Sequence, residues 1–320
     1  MKTINIHYNI TLILFTAFLL IQCNPATDQT STEVISDDAF PAGLIHFTPY
    51  EENPVFTGTG ENTWDKGIRE RGFILFDEGQ YKMWYTGYNY EKSNQMMLGY
   101  ATSPDGKDWT RYSEKPIYND RWTEDMHVSK INDTYYMYAE GTDDIAHLLT
   151  SSDGVHWEDQ GDLVIEKTTG EQIDGPYGTP TLWVENEKWY LFYERTDSAI
   201  WLAESTDKIH WTNVQDDPVL KKGPEKYDRS AVAVNQVIKR DGMYYMYYHA
   251  TDNQEWLTDN SKSIWTSNVA RSKDLIHWEK YPDNPIIPGD FSSPILVFND
   301  TSHFLYTMHA QVNLFFPVFE

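Results

Sequence analysis

The sequence predicts an all-β chain: a five-bladed β-propeller of four-stranded antiparallel blades, its ring closed by an N-terminal strand. Three observations carry this. A phrase of the form S-x-D-x-x-x-W occurs four times, ending at Trp109, Trp157, Trp211 and Trp278, with steps of 48, 54 and 67 residues. A period near 50 marks a propeller in which each repeat is one blade. An aromatic-rich strand recurs five times, around Met83, Met137, Leu191, Met246 and Tyr306. Turn signals precede most of these strands, at Glu78-Gly79, Asn132-Asp133, Asp241-Gly242 and Asn299-Asp300, so each reads as the second strand of a hairpin.

In chain order, residues 1–22 read as a lipoprotein-type signal peptide. Lys2 precedes the apolar run Ile10–Ile21, which is too short for a confident spanning helix. Leu20-Ile21-Gln22-Cys23 resembles a relaxed lipobox, which implies that Cys23 is the lipidated N-terminus and that the chain is lipid-anchored in a bacterial cell envelope. Cys23 is the single cysteine, so the mature domain has no internal disulfide. Residues 23–40 are rich in Thr, Ser and Asp and read as a flexible tether. Residues 41–320 are the propeller, expected to be a monomer.

Within the blades, an inner strand such as Gly72–Phe76 leads through the turn to the aromatic strand. A third strand follows (Met97–Ala101, Ile200–Ala203), then the S-x-D turn and its Trp, then an outer segment. The outer segments rhyme at Lys115-Pro116-Ile117, Asp217-Pro218-Val219 and Asn284-Pro285-Ile286, with an early copy at Asn53-Pro54-Val55. The fifth blade lacks the phrase, so residues 42–57 are expected to supply its outer strand. The S-x-D phrase reads as scaffold: Ser and Asp stabilise a turn and the Trp packs between blades. His156, His210 and His277 share one slot in it and are expected far apart on the rim, not as a metal cluster.

The net charge of −24 excludes nucleic acid as a partner on electrostatic grounds. Aligned on the aromatic strands, Asp65, Asp174, Asp228 and Asp290 lie 18, 17, 18 and 16 residues upstream of Met83, Leu191, Met246 and Tyr306. In the second blade the nearest acids are Glu124 and Asp125. This acidic column is expected to line the axis, where crowded carboxyls raise one another's pKa and suit glycoside chemistry. A second column, Thr86, Glu140, Glu194, His249 and His309, is expected as a shell around it. Arg69, Arg71 and Arg229 stand beside the column as candidates to hold an anionic sugar group. Trp64 and Tyr177 flank two of the acids as stacking candidates. A calcium ion on the axis is a further expectation.

The phrases Tyr81-Lys82-Met83-Trp84-Tyr85-Thr86-Gly87, Gly99-Tyr100-Ala101-Thr102-Ser103 and Asp105-Gly106 resemble those of the five-bladed glycosidases of glycoside hydrolase family 43 and its relatives in families 32, 68 and 117. The resemblance covers residues ~45–320 and implies an inverting, exo-acting glycosidase of β-xylosidase or α-L-arabinofuranosidase type on plant or algal oligosaccharides. It implies Asp65 as base and, through Ile173-Asp174-Gly175, Asp174 as the residue that tunes the acid. No Glu stands where that family's acid falls, near Ala233, which leaves Asp228, Glu124 and Glu194 as acids. His249 and His309 are expected as substrate contacts. Two alternatives stand beside this: a glycoside phosphorylase of similar fold, which needs a cationic phosphate pocket, and a non-catalytic carbohydrate-binding surface lipoprotein.

Overall fold

The computed structural model describes residues 39–69 and 71–319. The signal peptide, Cys23 and almost all of the tether lie outside them. The chain forms five sheets in sequence order. Blade 1 comprises Gly67–Ile68 and Phe73–Asp77 as its inner strands, then Gln80–Tyr88, Met97–Ser103 and Thr110–Arg111. Blade 2 runs Glu124–Ile131, Thr134–Glu140, Ala146–Ser151 and Glu158–Asp162. Blade 3 runs Gly178–Glu185, Lys188–Glu194, Ala199–Ser205 and His210–Asn213. It departs from a purely antiparallel blade, because Val164–Glu166 adds a parallel strand against His210–Asn213. Blade 4 runs Ala231–Arg240, Met243–Thr251, Thr266–Ser272 and Trp278–Lys280.

Blade 5 contains Pro294–Phe298, His303–Met308 and Gln311–Pro317, and the N-terminal segment completes it. Phe47–Pro49 and Phe56–Thr57 both pair antiparallel with Gln311–Pro317, as expected for closure of the ring. Pairing the N-terminal segment with the last strand ties first and last blades together and closes the ring, with Phe47–Pro49 and Phe56–Thr57 as short outer-edge strands.

The S-x-D phrase is a turn and a wedge. In the first copy the Ser103 hydroxyl accepts from the Gly106 N–H at 2.8 Å, and Asp105 Oδ1 accepts from Lys107 and Asp108 at 2.9 and 3.0 Å. Each Trp then packs edge-on against an aromatic ring in the second strand of the preceding blade. The pairs are Trp109 on Tyr306, Trp157 on Trp84, Trp211 on Tyr138 and Trp278 on Phe192, with centroids 6.3, 6.2, 5.7 and 5.9 Å apart. The fifth junction, without a phrase, is filled from the N-terminus: Phe40 packs on Tyr245 at 6.3 Å. His156, His210 and His277 each meet the Asp of their own copy, at 2.7, 2.8 and 2.8 Å, on exposed rim sites. They form no cluster.

Arg71 fastens the centre. It extends from blade 1 across the axis and is fully buried. Its guanidinium donates to the Thr181 hydroxyl at 2.9 Å and to the carbonyls of Pro180, Val234 and Asn235 at 2.9, 3.0 and 3.0 Å, with a further short bond to the Asp125 carbonyl. One side chain thereby joins the inner strands of blades 2, 3 and 4 to blade 1. Burial alone lowers its pKa, to about 10, so it stays charged at neutral pH, and losing it strands several carbonyls.

Candidate active site

Above Arg71 lies a cavity of about 540 Å³, within the range of small-molecule sites. Its carboxylates are Glu124 and Asp125 of blade 2, Glu140 and Asp144 at the end of the next strand and beyond it, and Glu194 and Asp197 in the matching places of blade 3. The rest of the wall comes from blades 1, 4 and 5: Arg69 and Tyr88, then His249, Trp256, Asn260 and Trp265, then Ser292, Ser293 and His309. Among these described lining residues Arg69 is the one arginine or lysine. The cavity thus has an acidic side and an imidazole–guanidinium side.

Backbone irregularities aim the acids. Adjacent residues of a regular strand face opposite ways. The inner strand of blade 2 begins instead with a bulge: Glu124 pairs with Glu140 but His127 pairs with Tyr138, and Asp125 has φ 44°. The extra residue lets both Glu124 and Asp125 face the cavity, the re-aiming that bulges perform beside active sites. Blade 3 repeats the device between Gly178 and Thr181, with Thr179 at φ 41°. Gly178 makes room for the acids: a Cβ there would meet the carboxylates of Glu140 and Glu194 together, and both would have to shift.

Burial and mutual repulsion set the proton affinities. Burial first and the Asp125 charge second push Glu124 up to about 7, against the pull of the Trp122 indole, which donates to Glu124 Oε1 at 2.6 Å. Glu124 Oε2 has no partner. Burial raises Asp125 too, opposed by the Arg71 charge and by the Arg71 N–H, 3.0 Å from Asp125 Oδ1. Glu140 rises well above the ordinary range through burial and the charge of Asp125, although it accepts the Thr179 N–H at 2.9 Å. Glu194 rises through burial and Asp197, and Asp197 reaches about 7 through burial and Asp125. On the facing side, burial and the Arg71 charge push His249 down to about 3, and burial lowers His309. Near neutral pH the site therefore holds protons on carboxyls and neutral imidazoles. Among the described residues no three His, Cys, Asp or Glu side chains are placed to hold a metal ion.

Of the residues singled out from sequence, Arg69, Glu124, Asp125, Glu140, Glu194, His249 and His309 meet in this cavity. The others stand elsewhere. Asp65 is buried outside it, where Arg111 Nε, the Thr63 hydroxyl and the Tyr85 hydroxyl satisfy its carboxylate at 2.8, 2.8 and 3.1 Å. Asp174 is exposed on the loop before blade 3. Asp228 is buried against Lys280, 2.5 Å away on the flank between blades 3 and 4. Asp290 caps the Trp265 N–H at 2.9 Å. Trp64 stacks on Tyr85 at 5.8 Å, and Tyr177 is a core residue bonded to the Leu163 carbonyl at 2.9 Å. Arg229 lies half out in solvent beside Asp252, and Arg71 lies beneath the floor.

Of the expected column only Glu124 and Asp125 line the cavity, and of the expected shell Glu140, Glu194, His249 and His309 do. Asp65, Asp174, Asp228 and Asp290, three to eight residues ahead of Phe73, Gly178, Ala231 and Pro294, sit on connecting segments that do not line the cavity. The cavity is lined instead from the strand ends, where Glu140, Glu194 and His249 follow the aromatic strands in equal register. That register was the usable signal. Asp144, Asp197, Trp256 and Trp265 come from connectors whose course no periodicity announces.

No family model matches the chain. A 1,2-β-oligomannan phosphorylase from Thermoanaerobacter sp. (strain X514) is 25% identical over 291 residues, covering 82% of this chain and 94% of that protein. Among solved structures, the β-1,2-mannobiose phosphorylase of Listeria innocua in complex with β-1,2-mannobiose superposes with a TM-score of 0.65 at 17% identity, covering 85% of this chain and 96% of that one. A structure described under the GH130 family of mannoside phosphorylases, as containing hydrolases that target β-1,2 mannosidic linkages in Candida mannan, gives 0.67 at 16% identity, with 88% and 95% covered. The GH43B protein of the Bacteroides ovatus xyloglucan locus gives 0.58 at 12% identity, covering 82% of this chain and 52% of that one. The fold is therefore the five-bladed propeller that these structures share, and it superposes more closely on the two mannoside-acting structures than on the family 43 protein. The xylosidase or arabinofuranosidase expectation is overturned, because the curated relative is a mannoside phosphorylase and the Asp65 and Asp174 that anchored the family 43 reading lie outside the cavity.

Proposed function

We propose that this chain cleaves β-1,2-linked mannosides by phosphorolysis. The observation that carries the reading is the division of one cavity into an acidic side and an Arg69–His249–His309 side. The relative that spans most of the chain, a 1,2-β-oligomannan phosphorylase, supports the same reaction and sugar. Hydrolysis with inversion needs two carboxyls, one to protonate the leaving oxygen and one to activate water. Phosphorolysis needs one, because the nucleophile arrives as an anion. An oxygen of phosphate attacks the anomeric carbon, the glycosidic C–O bond breaks, and the departing oxygen takes a proton. The products are mannose 1-phosphate and a chain shorter by one sugar.

In this reading the Glu124–Asp125 pair supplies the proton. Two adjacent carboxyls in a dry site titrate as a unit and retain one proton near neutral pH. Phosphate takes the other side, beside the Arg69 guanidinium and the His309 and His249 rings, with the Ser292 and Ser293 hydroxyls near. Glu140 and Glu194, held neutral, serve as hydroxyl partners for the sugar.

The test is product analysis with β-1,2-mannobiose in phosphate buffer and in phosphate-free buffer. Mannose 1-phosphate is expected in the first and no turnover in the second. Release of free mannose at equal rates in both buffers would overturn phosphorolysis and leave water as the nucleophile.

A further inference from the structure

The connectors between second and third strands form the rim of the cavity, and one differs from the rest. Those of blades 1, 2, 3 and 5 span Asn89–Met96, Gly141–Ile145, Arg195–Ser198 and His309–Ala310, whereas that of blade 4 runs from Asp252 to Trp265. We propose that this long connector builds a second sugar-binding subsite at the mouth of the cavity, which holds the leaving-group part of a neutral oligosaccharide, with Trp256 as its platform. The inference rests on the mannoside reading above and adds to it the place and chemistry of the second sugar.

The argument begins at the floor. Arg71 closes the axis beneath Asp125 with bonds to three other blades. A sugar chain can therefore enter only from the rim, end first. Its terminal residue reaches the depth of Glu124 and Asp125, and the next residue must lie toward the mouth. There the connector places Trp256, Leu257, Asn260 and Trp265 on the cavity wall. Leu257, 68% exposed, follows Trp256 on that wall and adds apolar surface there.

The platform is prebuilt. Trp265, almost fully buried, backs Trp256 edge-on at 5.6 Å, and its indole donates to Asn260 Oδ1 at 2.9 Å. The Asn253 amide ties the connector's two limbs by donating to the Asp259 carbonyl and the Ser263 hydroxyl, each at 2.9 Å. Such ordering lowers the entropic cost of binding. An indole face beside an amide suits a pyranose, with its apolar C–H face and polar edge. It does not suit an anion, because the connector's lysine, Lys262, is paired with Asp259 at 2.6 Å and does not line the cavity.

The experiment is calorimetric titration of the phosphate-free protein with mannose, β-1,2-mannobiose and β-1,2-mannotriose, using wild type, Trp256→Ala, Trp256→Phe and Leu257→Ser. Mannose should bind all four alike. Mannobiose and mannotriose should bind Trp256→Ala about tenfold more weakly than wild type, with Trp256→Phe recovering most of the loss and Leu257→Ser intermediate. Unchanged mannotriose affinity in both Trp256→Ala and Leu257→Ser would overturn the subsite. So would an equal loss for mannose, which would put Trp256 at the terminal sugar. Wild type that binds none of the three sugars would overturn the mannoside reading, and the subsite with it. Turnover without phosphate would leave this test standing.

Discussion

Replacing Glu124 by Gln should make the folded protein less sensitive to alkali while removing its activity. Glu124 is 8% exposed and its carboxyl is pushed from 4.5 to about 7, first by burial and then by the Asp125 charge. A carboxyl whose folded pKa lies above its unfolded value binds its proton more tightly in the folded state. Its contribution to stability is full below about pH 4.5 and is lost as pH rises through about 7. The span from 4.5 to about 7 corresponds to about 3 kcal/mol. Gln has no proton to lose, so this part of the pH dependence disappears. The change also takes a like charge from beside Asp125, which adds in the same direction.

The assay is urea unfolding at intervals from pH 4.5 to pH 8.5, with midpoint and slope read separately. Gln also places an amide where Glu124 Oε2 has no partner, which shifts stability by a constant, so the comparison is of pH profiles and not of absolute values. Between the two ends wild type should lose about 3 kcal/mol more than Glu124→Gln. Parallel profiles would refute the reasoning, because Glu124 would then ionise as it does in the unfolded chain. Turnover should fall by about 10²- to 10⁴-fold if the Glu124–Asp125 pair is the proton donor.

Asp65→Asn tests the reassignment of that residue: loss of its bond to Arg111 should cost about 2 kcal/mol of stability, read by urea unfolding, while kcat stays within about twofold. A loss of activity with stability intact would return Asp65 to the site. Gly178→Ala should displace the carboxylates of Glu140 and Glu194 and lower kcat/KM by about a hundredfold, with crystal or solution scattering data confirming an unchanged fold. The KM for phosphate should rise as pH increases past about 7, where Glu124 and Asp197 ionise and repel the anion; a phosphate KM flat from pH 6 to pH 9 would show that the acidic side does not sense the phosphate.

The scaffold was legible in the sequence because its determinants are local. Ser103, Asp105 and Trp109 make their turn and wedge within seven consecutive residues, and the same spacing recurs at Trp157, Trp211 and Trp278. Ring closure was legible from the Asn53-Pro54-Val55 rhyme. The site was legible only in part, for a physical reason. A fixed offset from the aromatic strand assumes that every blade approaches its inner strand along the same path. The approach carrying Asp65 turns back to Arg111, and the one carrying Asp228 turns out to Lys280. Glu124 and Asp125 stood out in the sequence as the acids at the start of blade 2's inner strand, but the period-two rule assigns neighbours to opposite faces, and only the bulge turns both inward. Asp125 at φ 44° and Thr179 at φ 41° are where that rule breaks, and such departures cluster at functional sites.

An acidic cavity is ill suited to a phosphate co-substrate only if its acids are counted as charges. Burial holds Glu140 and Glu194 well above the ordinary carboxylate range and brings Glu124 and Asp197 to about 7. Much of the acidic side is then neutral at working pH and presents hydroxyls that donate as well as accept, which is what a sugar ring requires. The same burial that keeps the imidazoles of His249 and His309 uncharged leaves Arg69 as the fixed positive charge on the wall. A dianion entering the cavity would raise the proton affinity of both histidines and draw charge toward itself. In the phosphorolysis proposed above, electrostatic fit to phosphate would thus be completed by phosphate, and the Glu124–Asp125 proton, retained for the same reason, would be available when the glycosidic oxygen departs.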